Sequence, residues 1–200
     1  MKIYTVEINQ KDYRKLEFVN NCGPTLDLAV SHEVISGKSK PPVCRFIDVD
    51  KPKADFMSLC PDQIVFDPIQ LDAGFTPDER GENSIYTLAE MASYGLAGCV
   101  MTPENQRYHL LAVTECCNAL NMKESQWQTD EHGQPTFIDK FVFHGGRVDT
   151  VSGLFRLADP DFDTKYIFAY TARDDEEHNF IDRYFQYNKT GLVLTEVWSD

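Results

Sequence analysis

Residues Thr171–Asp200 read TARDDEEHNFIDRYFQYNKTGLVLTEVWSD, and the hydrophobic period changes part-way along them. Phe180, Ile181, Tyr184 and Phe185 recur at i, i+1, i+4 and i+5, the spacing of one face of an amphipathic helix. Thr171 followed by Asp174 makes a variant of the capping box, and acids in a first turn are favoured by the positive end of the helix dipole. Asn188 or Gly191 is placed to end the helix, after which Leu192 to Trp198 read as a closing strand. Successive helical residues point in different directions, so Asp174, Asp175, Glu176, Glu177 and His178 cannot converge on one ion. His178 lies four residues after Asp174 and four before Asp182, where pairing along a helix face accounts for it.

Upstream, KIYTVEI and VCRFIDV are rich in β-branched and aromatic residues, and CGP and GKSKPP punctuate them, so both read as strands joined by loops. GLFRL and YIFAY are two further short strands. SQWQT and FIDKFVF flank DEHGQP, whose His132-Gly133 step suits a turn, and together they predict an antiparallel hairpin. RYHLLAVTECCNAL is read as a strand followed by a short helical turn. Ile85, Leu88, Ala89 and Ala92 predict a helix, capped by Asn83 or Ser84 and ended by Gly95. The polar stretch QLDAGFTPDERGENS is the best place for a boundary. The expected fold is α+β, a mostly antiparallel sheet with a few helices. It forms either one continuous domain or two lobes, a β-rich one over residues 1–75 and an α+β one over residues 76–200.

Thirty-two acids against nineteen Lys and Arg leave a formal net charge of -13. That field repels phosphate backbones and anionic lipid, and attracts a basic partner. No apolar run is long enough to span a bilayer as a helix. MKIYTVEINQ alternates like a strand rather than like a secretory leader, so a cytoplasmic protein is expected. Six cysteines in that setting, Cys116 and Cys117 adjacent, read as reduced interior thiols.

Motifs that carry chemistry are scarce. There is no CxxC, HxH or HExxH, no glycine-rich phosphate loop and no GxGxxG, so neither metal nor cofactor is expected. His144-Gly145-Gly146-Arg147 has the form of an oxyanion loop, but no GxSxG accompanies it, and the two glycines read as a turn after FIDKFVF. Cys22 beside Gly23 and Pro24 has nothing local to depress its thiol pKa. No residue is assigned a catalytic role, and a binding protein is favoured over an enzyme.

Several blocks resemble the bacterial polymorphic-toxin immunity proteins of family eleven. The clearest run from LFRL, through an IF-type strand, an amphipathic helix and a TGL turn, to a terminal strand closing on EVW. DKPKADFMSL, IVFDP and YHLLAVTECCNALN resemble the family's earlier blocks, in the same order from about Asp50 onward. Cys116-Cys117-Asn118 departs from it, standing where aliphatic residues and an Asp are expected, and residues 1–45 match only in opening on a strand. The resemblance implies a cytoplasmic antidote that binds a cognate toxin, plausibly a nuclease, and carries over no catalytic residues.

A nuclease is basic where it holds phosphates, so acids are its natural contact. Asp159, Asp161 and Asp163, with Asp174, Asp175, Glu176 and Glu177, are the candidate partner-binding residues, joined by exposed aromatics. The alternatives are an enzyme that reverses a toxin's modification and an adaptor of a secretion system.

Overall fold

A computed structural model describes residues 1–19, 29, 33, 38–59, 63–66, 71–72, 86–87, 93–133, 135–151, 153–158, 166–171 and 180–200. In chain order the strands are β1 (Lys2–Ile8), β2 (Lys15–Phe18), β3 (Cys44–Ile47), β4 (Phe56–Ser58), β5 (Gln63–Phe66), β6 (Leu71–Asp72), β7 (Tyr86–Thr87), β8 (Gly95–Met101), β9 (Arg107–Val113) and β10 (Cys116–Cys117). There follow β11 (Gln126–Thr129), β12 (Pro135–Lys140), the four-residue helix α1 (Gly145–Val148), β13 (Leu154–Leu157), β14 (Ile167–Tyr170), α2 (Phe180–Gln186) and β15 (Leu192–Ser199). The fold is α+β, with mainly antiparallel sheets. No helix among the described residues is long and apolar enough to cross a membrane.

Contacts divide the chain into two compact units, the first made of residues 1–7, 115–187 and 194–200, the second of residues 8–114 and 188–193. The boundary expected at Gln70–Ser84 falls inside the span of the second unit, and residues 73–85 lie outside the described ones.

In the first unit a five-stranded sheet runs β10-β13-β14-β1-β15. β1 pairs antiparallel with β14 through Ile3↔Tyr170 to Val6↔Ile167, and β14 with β13 through Phe155↔Phe168. Alternation puts Ile3, Phe155 and Phe168 on one face, where they share a core with Phe141, Phe143 and Val148. Phe168 meets the rings of Phe141 and Phe143 at 5.4 and 5.6 Å. Tyr4, Val6, Leu154, Ile167 and Ala169 take the opposite face. α2 packs on β14 with Phe180, Ile181 and Tyr184 buried, and Phe185 reaches Tyr4 edge-on at 5.8 Å. The apolar face expected of this helix is present except that Phe185, the last of its four residues, stays 46% exposed. Asn188, with φ 49, adopts the left-handed conformation that ends such a helix.

The hairpin is where the sequence places it. β11 and β12 pair antiparallel from Gln126↔Lys140 to Thr129↔Pro135, and Gly133 turns the chain at φ 76. The ladder stops at Lys140, short of FVF, and resumes as a bridge from Phe143 to Leu120. Two expectations need correction here. Cys116–Cys117 is a strand, not a helical turn, because β13 offers it a parallel partner: Arg156 N–H donates to Glu115 O and Ala158 N–H to Cys117 O. Gly145 and Gly146 open the helical turn α1 rather than a simple reversal, with Arg147 N–H donating to the His144 carbonyl.

The second unit holds the four-stranded sheet β4-β5-β9-β8. RYHLLAV reads as a near-continuous apolar run because β9 lies between β5 and β8, with Tyr108 and Leu110 buried on one face and Leu111 and Val113 on the other. Tyr108, Leu110, Val65, Val100 and Met57 join Leu16, Cys44 and Ala54 in one core cluster. β2 and β3 form an antiparallel pair, Lys15↔Ile47 to Phe18↔Cys44. The helix expected over 85–95 is overturned at Tyr86–Thr87, a strand pairing parallel with Leu71–Asp72, whereas Ser93 and Tyr94 are helical and Gly95 ends that helical stretch and starts β8. Aromatic and β-branched residues such as Tyr and Thr favour the extended backbone once a partner strand is at hand. Ile85 and residues 88–92 lie outside the described ones.

Candidate functional site

The sequence-predicted contact residues Asp159, Asp161, Asp163, Asp174, Asp175, Glu176 and Glu177 all lie outside the described residues, as does His178. Their flanks are fixed. Ala158 and Tyr166 bound the first run at one end of β14, and Thr171 and Phe180 bound the second, which departs from the other end. Four extended residues, roughly 13 Å, separate those ends, so the two runs do not share an anchor. Thr171, the expected cap, exchanges bonds with β1: its N–H donates to Lys2 O, and its Oγ1 accepts the Lys2 N–H at 2.9 Å.

What the structure does bring together is an aromatic contact between α2 and β1. Phe185 stands edge-on to both Tyr4 and Tyr184, at 5.8 and 6.1 Å. Phe185 is 46% exposed, and Tyr187, two residues on and so turned to another side of the helix end, is 51% exposed. Lys2 Nζ pairs with Glu196 at 2.7 Å, and this partner raises the Lys2 pKa. Tyr4 is pushed up by burial, partly opposed by Lys2 and reinforced by Glu196 and Asp182. Both carboxylates therefore lie within electrostatic reach of the Tyr4 hydroxyl. Aromatic rings rimmed by acids are suited to holding a basic protein surface, the rings supplying buried area and the carboxylates the sign of charge.

A second grouping escaped the sequence, in which the cysteines and histidines look scattered. The β8–β9 register sets Cys99 opposite His109, and Arg107 Nη2 donates to Cys99 Sγ at 3.1 Å. A turn at Thr102–Gln106 between two apolar runs was the signal that could have shown it. Its chemistry is subdued. Burial raises the Cys99 pKa more than Arg107 lowers it, so the thiol stays protonated. Burial, with Arg107 adding to it, lowers His109 to about 4 and keeps it neutral. A protonated thiol beside so weak a base is not an activated nucleophile. No group of three His, Cys, Asp or Glu among the described residues could hold a metal ion.

Two blocks singled out in the sequence meet in a third place. Thr190 N–H and Oγ1–H both donate to Asp55 Oδ2 at 2.8 Å, Asp55 N–H donates back to Thr190 Oγ1, and Phe56 N–H to Thr190 O. Next to them Gly191 takes φ 104, and a Cβ there would lie 2.9 Å from the Ala54 Cβ and well inside contact distance of the Phe56 carbonyl oxygen. The DF of DKPKADFMSL and the TG of TGL are thus halves of one structural joint, with their polar groups turned to each other.

No family model matches the chain, and no curated protein matches it in sequence. The likeness to immunity proteins therefore stands on the residue blocks alone.

Proposed function

We propose that this protein is an immunity protein, a cytoplasmic antidote that neutralises a cognate bacterial toxin by forming a stoichiometric complex with it. The observation that carries the reading is the exposed ring of Phe185 against Tyr4, with Asp182 and Glu196 within electrostatic reach, in a chain of net charge -13. Exposed rings become anchors when a partner buries them, and the acidic field speeds the encounter with a basic partner. A nuclease fits as the toxin because its phosphate-holding surface is basic. The acidic runs Asp159, Asp161, Asp163 and Asp174 to Glu177 supply further negative charge for the same encounter. The buried, protonated Cys99 and neutral His109 favour binding over turnover.

The test is a titration of the toxin domain encoded beside this gene. Protection of the toxin's substrate should reach completion at one equivalent, with a complex of matching mass by size exclusion, burying roughly 1,600 Å². Full protection by a small fraction of an equivalent would assign an enzyme instead. A complex that leaves the toxin active would assign an adaptor.

A further inference from the structure

The β11–β12 ribbon of the first unit has one face in the core and one in solvent. Trp127 and Ile138 are cross-strand partners on the inner face, where Ile138 is buried in the cluster that holds Phe141, Phe143 and Phe168, and Trp127 packs against that cluster. Successive strand positions alternate, so the next pair, Gln128 and Phe137, faces out. Phe137 is 46% exposed there. The register shift between Gln126 and Trp127 leaves Asp139 opposite no residue of β11, a bulge of the kind that re-aims a side chain. Asp139 is exposed, and its Oδ1 accepts an N–H from Gln128 Nε2 at 2.7 Å. Gln128 therefore links the ring that faces it across the ladder to the carboxylate it binds. Thr136 Oγ1–H donates to the Gln128 carbonyl at 3.3 Å, a further tie across the ribbon at this residue. Phe137 and Asp139, two strand positions apart, lie within roughly 7 Å of each other.

We infer that the outer face of this ribbon is a docking site for an arginine side chain of a basic partner, the guanidinium stacking on Phe137 and pairing with Asp139. The inference rests on the proposed partner-binding function and adds a second contact point, with the chemistry of the group it takes. An exposed ring beside a fixed carboxylate offers a cation both a π-face and an opposite charge. Arginine suits the pair better than lysine, because its planar guanidinium stacks on a ring while its N–H fork meets a carboxylate. A carboxylate has roughly four acceptor positions, so the bond from Gln128 orients Asp139 without exhausting it. Charge chooses the occupant. A second copy would bring another -13 to the contact, whereas a basic partner is drawn to it. The turn at the end of the ribbon adds Asp130 and Glu131, both exposed, to that attraction.

Calorimetry of the intact protein with the toxin domain encoded beside this gene tests this. Phe137→Ala and Asp139→Asn should each weaken binding by about tenfold, with melting temperatures little changed because both side chains are exposed. Phe137→Leu keeps apolar area but loses the ring, and should weaken binding nearly as much as Phe137→Ala. Glu131→Gln removes the same charge from the same ribbon outside the contact, and should change affinity by less than about twofold. Parent affinity for both Phe137→Ala and Asp139→Asn overturns the docking site and leaves the proposed function standing. No complex with the parent protein overturns both. Equal losses for Asp139→Asn and Glu131→Gln would assign a general field, and full affinity for Phe137→Leu an apolar contact; either overturns the arginine site. A dimer of the free protein that Phe137→Ala abolishes would give the face to a second copy and overturn the choice of a basic partner.

Discussion

Gly191→Ala combines backbone strain with steric crowding. At φ 104 a residue with a side chain is strained by about 1–3 kcal/mol. The added methyl must also push away the Phe56 carbonyl and the Ala54 Cβ, an overpacking that costs about 1–3 kcal/mol more. Moving Phe56 loosens its bond to Thr190 O at 3.1 Å, and with it the Asp55–Thr190 joint. The expected loss is about 2–6 kcal/mol, against the roughly 5–15 kcal/mol that hold a domain together. In urea, with a slope near 2 kcal/mol per molar, the midpoint should fall by about 1–3 M. Both tryptophans, Trp127 and Trp198, belong to the first unit, so far-UV circular dichroism is the signal to follow rather than their fluorescence. Gly146→Ala is the matched control: a Cβ there meets nothing within 4 Å, and its φ is not positive, so stability should hold or rise by about 0.5–1 kcal/mol. A Gly191→Ala midpoint within about 0.3 M of the parent, at the same slope, would refute the argument from close approach.

Acid should weaken the fold through His109. Its folded pKa, about 4, lies below the unfolded 6.5, so the unfolded chain binds the extra proton in that window. Stability is unaffected above pH 6.5 and falls by about 3 kcal/mol as pH drops through the window; His109→Gln should flatten that slope in urea titrations run from pH 7 to 4. Brief alkylation followed by mass spectrometry should label exposed Cys116 well before buried Cys44, Cys99 and Cys117. Phe185→Ala should weaken toxin binding by at least about tenfold, the scale of one anchor residue, with the melting temperature little changed; undiminished affinity by calorimetry would remove the aromatic surface from the interface. Reversing Asp174, Asp175, Glu176 and Glu177 to Lys should slow association in stopped flow and leave dissociation nearly unchanged.

The elements legible in the sequence were those whose pattern is local. KIYTVEI, the paired QWQT and TFIDK runs, LFRL, IFAY and LVLTEVWS all became strands, because alternation and β-branched content mark them without reference to a partner. The misread segments depend on distant partners. Cys116–Cys117 is extended because β13, forty residues on, lies beside it, and Tyr86–Thr87 because Leu71–Asp72 does. GLAGCVM, with two glycines and little alternation, was not foreseen as a strand and is held there by β9. For the site, composition indicated a charged partner surface but not the meeting of Tyr4 with Phe185, which are brought together only by sheet formation. The Cys99–His109 pairing was hidden in the same way, by a register rather than a motif.

The placement of β1 sets a clock on biosynthesis. Its partners β14 and β15 lie at the far end of the chain, and Thr5 bonds to a carbonyl 190 positions downstream. At about 5–20 residues per second, β1 leaves the ribosome roughly 10–40 s before that carbonyl exists. Most of the second unit is translated in the interval and can condense first, while the strand destined for the middle of the other sheet waits without neighbours. A ribosome that stalls before β15 leaves an unfinished sheet, with β1 itself as the open, aggregation-prone margin. Completion of that sheet therefore waits on one eight-residue strand.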